Sequence, residues 1–190
     1  MSLFQDVHFC FGNGNSRKGL DVDKFKKHGT VIGCNAIYRD YYTDYLLNKD
    51  KPIQHEILDS QCWRDRKVII QTRWFGQGHY NEAYGTMSLW KDMLGTNDFT
   101  DCGSAALTYA SMRAKSFGGV VNMYGFDFDK ADTTYVNNIY KGTPNYSDRV
   151  NQRKGVTKEF LECIEKFKDV QYVYHGDKLP DLLTKYENVR

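Results

Sequence analysis

The stretch that decides the fold is Val7-His8-Phe9-Cys10-Phe11-Gly12-Asn13-Gly14-Asn15-Ser16, near the start of the 190-residue chain. Its first five residues are mostly apolar and predict a buried strand over 7–11. The next five are glycine, asparagine and serine, which mark a turn directly after that strand. A buried strand that runs into such a turn is typical of a parallel α/β sheet, in which ligands bind beyond the carboxyl ends of the strands.

The rest of the chain repeats the alternation of apolar strands with helical segments. We predict further strands over 30–34, 43–48, 67–72, 120–124 and 170–174, and helices over 20–28, 52–58, 101–117, 157–167 and 179–186. Residues 73–100 predict an irregular excursion beside the sheet, and residues 130–153 predict a long, lid-like loop. The pattern predicts one α/β domain over 1–190, with a Rossmann-like, mainly parallel sheet flanked by helices.

Composition excludes several classes of protein. The net charge is +2 and the charges are well mixed, so we expect no nucleic-acid partner. The five cysteines are widely spaced without a CxxC pair, which predicts reduced thiols in a cytoplasmic protein rather than disulfides or a zinc site. No apolar run approaches the length of a membrane span, and the amino terminus lacks the pattern of a secretory signal. None of these features indicates an oligomeric state.

The loop after the first strand is the first candidate ligand site. Glycines allow the backbone to approach a phosphate and to adopt positive φ, and backbone N–H groups can then hold the anion. The spacing matches neither the G-x-G-x-x-G motif nor the Walker A loop, and an ordinary strand-to-helix turn is the alternative. The candidate nucleotide-binding residues here are Gly12, Asn13, Gly14, Asn15 and Ser16, and the candidate phosphate-stabilising residues are Arg17 and Lys18.

Three further segments end at the same predicted edge of the sheet. Asn35 follows the second strand, where its carboxamide can pair with a base or ribose or can instead cap a turn. Gly103 and Ser104 lie at a helix start, where small side chains leave N–H groups accessible to an anion or else allow tight packing on the sheet. Asp127 follows a later strand and is a candidate catalytic acid, or else a residue of a structural turn.

His79 is the candidate general base, because it lies among glycines and aromatic residues in the irregular stretch and can reach the crevice from there. His8 lies within the first strand, where we expect a hydrogen-bonded or edge-strand histidine. Asp50 and Asp127 are the one pair of carboxylates suited to a sugar hydroxyl or a divalent ion. No metal site is predicted, since no cluster of cysteine and histidine is present.

In their order, these segments resemble the small bacterial sialyltransferases that make lipooligosaccharide sialosides. The resemblance lies in the glycine loop, in Cys34-Asn35, in Cys102-Gly103-Ser104 at a helix start, and in Gly125-Phe126-Asp127-Phe128. It implies that the first three segments bind the cytidine monophosphate of a nucleotide-sugar donor. The same skeleton occurs in archaeal pterin pyrophosphokinase-like proteins and in phage and environmental proteins, and the chain resembles the phage and environmental group most closely.

One departure from that family concerns its catalytic histidine, which precedes the penultimate helix. The matching residues 146–154 contain no histidine. Tyr146 is the candidate for a family tyrosine that steadies the leaving phosphate, with Tyr135 and Tyr140 as alternatives.

The resemblance therefore implies a nucleotide- or nucleotide-sugar-dependent transferase that binds a CMP-like donor through its phosphate at the loop after the first strand. A non-catalytic nucleotide-binding protein of phage or environmental origin is the alternative. Pyrophosphokinase-like transfer through Asp50 and Asp127 is a third possibility.

Overall fold

The computed structural model describes residues 6–73, 80–128, 138–146 and 154–190, with side chains in the last range from residue 158 onward. All strands of these residues belong to one sheet, in the order β5-β4-β3-β2-β1-β6-β7, and every neighbouring pair is parallel. The predicted α/β fold with a mainly parallel sheet is confirmed. The strands are β1 (Val7–Phe11), β2 (Thr30–Cys34), β3 (Tyr45–Asn48), β4 (Lys67–Ile70), β5 (Ser88–Leu89), β6 (Val120–Tyr124) and β7 (Gln171–His175).

Helices connect the strands and flank the sheet. The α-helices of the described residues are α1 (Lys51–Ser60), α2 (Asn81–Thr86), α3 (Trp90–Leu94), α4 (Cys102–Phe117) and α5 (Lys154–Lys166). Short 3-10 helices span Asn15–Arg17, Val22–Lys27, Asn35–Arg39, Cys62–Arg64 and Asp181–Leu183. No helix in the described ranges is both long and apolar enough to cross a membrane.

The central strands are buried on both faces, because successive side chains point to opposite sides of a sheet. On one face, Cys10 and Ile32 share a core cluster with the small residue Ala106 of α4. On the other face, Phe11 belongs to a second cluster with Ile57 of α1. The continuous apolar runs that predicted these strands reflect this burial on two faces.

Helix α4 confirms the prediction for residues 101–117. Asp101 caps its amino end, and its carboxylate accepts hydrogen bonds from the backbone N–H groups of Gly103 and Ser104. Gly118 ends the helix at a φ of 71°, a conformation that glycine adopts without steric cost. Both ends of this helix are thus encoded by local residue chemistry.

The prediction of an irregular excursion over 73–100 is wrong for the described residues 80–100. They contain α2, α3 and the short strand β5, which extends the sheet by pairing with β4. The Trp90 indole is fully buried and donates a hydrogen bond to the carbonyl of Ile69. A strand of two residues is too short for hydrophobic alternation to indicate it.

Two segments that were predicted as helices form 3-10 helices that are shorter than the predicted ranges. The segment 179–186 forms only the 3-10 turn Asp181–Leu183 after Pro180, and the segment 20–28 forms the 3-10 helix Val22–Lys27. Beyond the turn, the main chain hydrogen-bonds to β7: the N–H of Tyr172 donates to the carbonyl of Asn188, and the N–H of Arg190 donates to the carbonyl of Tyr172. Pairing with the sheet edge therefore replaces the predicted closing helix.

His8 is a buried polar residue in the middle of the sheet. β1 has neighbours on both sides, so the expected edge position is wrong. The side chain is 1% exposed, and neither ring nitrogen has a hydrogen-bond partner among the residues that the structure describes. Removal of the ring from water, together with the nearby Arg113 cation, lowers the pKa of His8 to about 4.

We expect this burial to make the fold sensitive to acid. The folded protein binds the His8 proton only near pH 4, whereas the unfolded chain binds it near the ordinary pKa of 6.5, so stability is full above pH 6.5 and falls toward pH 4. His8 alone accounts for a loss on the order of 3 kcal/mol across that window. Urea unfolding at stepped pH measures the slope, which His8→Leu should flatten and the exposed-site control His28→Gln should not. An unchanged slope in His8→Leu refutes the assignment.

Candidate functional site

The strand order of the sheet reverses at β1, which is therefore the topological switch point. Strands β2 to β5 lie on one side of β1, and β6 and β7 lie on the other. Loops that leave neighbouring strands in opposite directions open a crevice at the carboxyl edge, which is where open α/β sheets bind ligands. The loop 12–16 follows β1 and therefore lies at this switch point.

Main-chain contacts attach this loop to the turn after β6. The N–H of Gly12 donates to the carbonyl of Tyr124, and the N–H of Gly14 donates to the carbonyl of Gly125, both at 2.8 Å. A Cβ on Gly14 would lie 2.5 Å from Cγ of Asp127 and 2.7 Å from the carbonyl oxygen of Gly125. The φ of Gly14 is −69°, so the expected positive φ is wrong there. Glycine is required because two backbones pass in contact.

Asp127 also binds this loop. Its carboxylate accepts a hydrogen bond from the backbone N–H of Ser16 at 3.0 Å and another from the Ser16 hydroxyl. Asn15, Ser16 and Lys18 are exposed beside it. Asp127 therefore makes the kind of structural contact that was the alternative to a catalytic acid, and its catalytic role stays a prediction.

Asn13 and Arg17 form the buried part of the loop. The Asn13 carboxamide donates to the carbonyl of Cys34 at 3.1 Å and accepts from Nη2 of Arg17 at 2.9 Å. Nε of Arg17 donates to the carbonyl of Gly12 at 2.7 Å. Arg17, expected as an exposed phosphate ligand beside Lys18, is only 2% exposed. The side chain folds under its own loop because two acceptors of the loop, the Gly12 carbonyl and the Asn13 oxygen, lie there.

Asn35 organises the ends of β2 and β3. Its φ is 49°, in the left-handed region that asparagine tolerates better than most residues. Its amide nitrogen donates to the Asp50 carboxylate, and its oxygen accepts from the Asn48 amide at 3.0 Å and from the Cys102 thiol. The carboxamide both donates and accepts, as the sequence predicted, but its partners are side chains of the protein itself.

The start of α4 is occupied by Asp101. Its carboxylate accepts from the N–H groups of Gly103 and Ser104 and from the Ser104 hydroxyl at 2.6 Å. The expectation that these N–H groups are free is thus wrong, because an aspartate one residue before the helix is a strong N-cap. Contact of Gly103 and Ser104 with a ligand stays a prediction.

The described residues 138–146 of the predicted lid cover the loop. The N–H of Ile139 donates to the carbonyl of Asn13 at 2.9 Å, and the Tyr140 hydroxyl accepts from Arg17 and donates to Asp40. The Tyr146 hydroxyl accepts from the N–H of Ala36 at 3.3 Å, and burial raises the pKa of this phenol. Both tyrosines therefore lie over the candidate site in their protonated form.

Arg39 fixes this covering segment to the rest of the domain. Its guanidinium makes a two-point ion pair with Glu56 and donates to the hydroxyl of Thr143 and the carbonyl of Pro144. The paired guanidinium lowers the pKa of Glu56 to about 2, so the contact persists in mild acid. Residues 138–146 are thus held in place by charge as well as by main-chain contacts.

Two buried amides were missed by the sequence analysis. The side-chain oxygen of Asn48 and both polar atoms of the Gln54 amide are buried without a hydrogen-bond partner in the described part of the chain, and both residues are 0% exposed. Asn48 ends β3 just as Asn35 follows β2, and Gln54 interrupts the apolar stripe of α1 beside Ile53 and Ile57. A polar residue on an apolar face was the pattern that could have indicated them.

The remaining predictions concern a general base and a pair of carboxylates. His79 lies outside the described residues. Asp50 and Asp127 follow β3 and β6, which are three strand spacings apart, or roughly 14 Å at the usual separation. In the described ranges, no group of three or more histidine, cysteine or acidic residues is arranged to hold a metal ion.

No protein-family model matches the chain, and no curated protein matches it in sequence. Its structure is similar to that of the monofunctional alpha-2,3-sialyltransferase Cst-I of Campylobacter jejuni, with a TM-score of 0.63 and 12% identity over 98% of this chain and 81% of that one. It is also similar to the sialyltransferase CST-II of the same organism in complex with a trisaccharide acceptor and CMP, with a TM-score of 0.53 and 16% identity over 96% and 85%. The fold therefore resembles that of small bacterial sialyltransferases.

We expect Gly14→Ala to destabilise the protein by about 1–3 kcal/mol, because the added methyl group overlaps Gly125 and Asp127. Gly85→Ala in α2 is the matched control. Its methyl group meets nothing within 4 Å, so the change should be neutral or stabilising by up to about 1 kcal/mol. Chemical denaturation measures both, and equal stability of the two variants would show that the loop does not pack as described.

Proposed function

We propose that the protein is a nucleotide- or nucleotide-sugar-dependent transferase that binds the donor phosphate at the loop 12–16. The observation that carries the proposal is the position of this loop at the switch point of the sheet, under the covering residues 138–146. The proposal draws further support from the CMP bound by the structural neighbour CST-II. Gly12 to Ser16 and Asn35 follow adjacent strands, so a phosphate, ribose and base can span the two.

Catalysis by such an enzyme rests on stabilising the departing phosphate. Donors that are fixed before the reaction are effective, because they need no reorganisation as charge develops. Tyr146 is the candidate donor from the covering segment, because its hydroxyl accepts from the N–H of Ala36 and burial raises its pKa, so the phenol keeps its own proton. The Tyr140 hydroxyl donates its proton to Asp40 and acts on the site through Arg17. Lys18 is exposed at the rim, where its ammonium can approach the phosphate directly.

The Asn48 oxygen and the Gln54 amide, which have no partner among the described residues, extend the proposed site toward the sugar of a donor. Asn48 and Gln54 lie at the end of β3 and in the first turns of α1, two strands from the phosphate loop. A buried amide without a partner costs stability, about 1–3 kcal/mol, and a ligand hydroxyl or carboxylate removes that cost. We therefore assign Asn48 and Gln54 to the group that the nucleotide carries.

A nucleotide-binding protein without turnover is the second candidate. Residues 146–154 contain no histidine that could act as the general base of the sialyltransferases. At the carboxyl edge, His175 is stacked on Tyr124 at 4.1 Å and hydrogen-bonded to Asn122. Detection of donor hydrolysis or transfer decides between the two candidates, since both predict nucleotide binding.

We expect nucleoside monophosphates to raise the melting temperature of the protein, because a ligand of the folded state stabilises it by mass action. A pyrimidine nucleotide should compete best. Calorimetric titration with cytidine, uridine, adenosine and guanosine monophosphates measures the preference. A preference for purines would contradict the pyrimidine assignment alone, whereas the absence of binding by all four would contradict the nucleotide site.

For Gln54→Leu we expect two opposite effects. Folding stability should rise by about 1–3 kcal/mol, because an unpartnered buried amide is replaced by an apolar group of similar size. Affinity for a nucleotide sugar should fall, while affinity for the corresponding nucleoside monophosphate should stay the same. Ser60→Ala, at the far end of α1, is the control. Equal loss of both ligands would place Gln54 in the nucleotide part of the site.

A further inference from the structure

Arg17 is a buried cation at the centre of the proposed site. Its side chain is 2% exposed, and its guanidinium donates to the carbonyl of Gly12, to Asn13 and to the Tyr140 hydroxyl. All three acceptors are neutral. The positive charge is thus solvated by dipoles of the loop and its cover rather than by an anion.

Arg39 provides the internal comparison, because both guanidiniums flank the same ring. Their central carbons lie 5.6 Å and 5.7 Å from the ring centre of Tyr140. Arg39 makes a two-point ion pair with Glu56. Arg17, by contrast, forms no ion pair with any carboxylate in the described part of the chain. It is linked to the Asp40 carboxylate only through the Tyr140 hydroxyl, which accepts from Arg17 and donates to Asp40. A buried charge without an ion-pair partner is costly, and Arg17 bears this cost while its guanidinium satisfies three acceptors of the loop and its cover.

The charge of Arg17 acts on the surroundings of the loop. Burial raises the pKa of the Cys34 thiol to about 12, and Arg17 is the cation that opposes this rise. Cys34 ends β2, so the field of the guanidinium spans the two strand ends between which a phosphate is proposed to bind. A low-dielectric site strengthens such a field relative to water.

Arg17 also sets the orientation of the groups that face the crevice. Nη2 directs the side-chain oxygen of Asn13 inward, which leaves its amide nitrogen to bond the carbonyl of Cys34. Nε donates to the carbonyl of Gly12, which reduces the partial negative charge that this oxygen would present to an anion. The positive charge of Arg17 and the hydrogen bonds that it donates to the loop therefore both favour an anionic ligand.

We infer that Arg17 is a positioning residue that determines specificity, by making the site select a phosphorylated nucleotide over the neutral nucleoside without contacting the ligand. The inference rests on the proposed function and extends it to the charge of the ligand. A buried guanidinium of fixed orientation attracts a phosphate monoester and contributes little to a ribose or a base.

The experiment compares wild type, Arg17→Met and Arg17→Lys by calorimetric titration with CMP, cytidine and inorganic phosphate, beside a melting curve of each protein. Lys115→Met, which removes an exposed cation from α4, is the charge control. In Arg17→Met we expect CMP affinity to fall at least about tenfold, because the variant loses one attractive charge interaction with the phosphate. Cytidine affinity should change less than about twofold on the same scale, and the melting curve should show a folded protein whose stability is lowered by the loss of the Arg17 hydrogen bonds. Arg17→Lys should keep the preference for CMP.

Four results would overturn the inference. One is wild-type CMP affinity in Arg17→Met, and another is an equal loss of CMP and cytidine, since a merely structural role affects both. If Arg17→Met does not fold, loss of the CMP preference in Arg17→Lys is the third. Stabilisation of the wild type, but not of Arg17→Met, by inorganic phosphate without binding of any nucleotide would support Arg17 while refuting the nucleotide proposal. The fourth is that none of CMP, cytidine and inorganic phosphate binds, in which case the inference about Arg17 and the proposed nucleotide site are both refuted.

Discussion

The contact on which the rest of the structure depends is the main-chain pairing between the loop after β1 and the turn after β6. Two N–H groups of the loop bond to the carbonyls of Tyr124 and Gly125, and a Cβ on Gly14 would overlap the turn. Gly125 has a φ of 68°, and a Cβ there would lie 2.7 Å from the carbonyl of Gly12. The glycines thus let two chain segments touch across the switch point, which closes the crevice on one side and fixes where Arg17 enters the interior.

Around this contact, the carboxyl edge of the sheet is built from buried polar groups that are mostly satisfied within the chain. Asn13, Asn35 and Asp101 each make at least two hydrogen bonds to protein groups. Such a network holds its members in fixed orientations, because leaving a buried polar group unpaired is costly. The exceptions are therefore informative: among the described residues, Gln54 and the oxygen of Asn48 have no hydrogen-bond partner, and Arg17 has only neutral acceptors.

The similarity to sialyltransferases at 12% and 16% identity illustrates how fold and chemistry separate. The shared architecture follows from strands buried on both faces and from crossovers that keep them parallel, and many sequences satisfy these requirements. Reactivity depends on individual side chains at the edge. Here Asp127 binds Ser16 and His175 stacks on Tyr124, so the groups best suited to proton transfer make structural contacts.

The sequence by itself determined the strand class, the sheet type and the limits of α4, because apolar runs, Asp101 and Gly118 act through local backbone and burial preferences. It also located the loop after β1 and Asn35 after β2. It did not indicate β5, which has two residues, or the pairing of Asn188 and Arg190 with β7, which replaced the predicted closing helix.

Only the tertiary structure decided what the candidate residues contact. Gly14 is glycine because of a turn more than a hundred residues later in the chain, Arg17 is buried because Tyr140 covers it, and Gln54 is unpartnered because α1 packs that face inward. These outcomes depend on strand order and on the approach of distant segments. Local sequence patterns encode burial and backbone conformation, but they do not encode which distant atoms will meet.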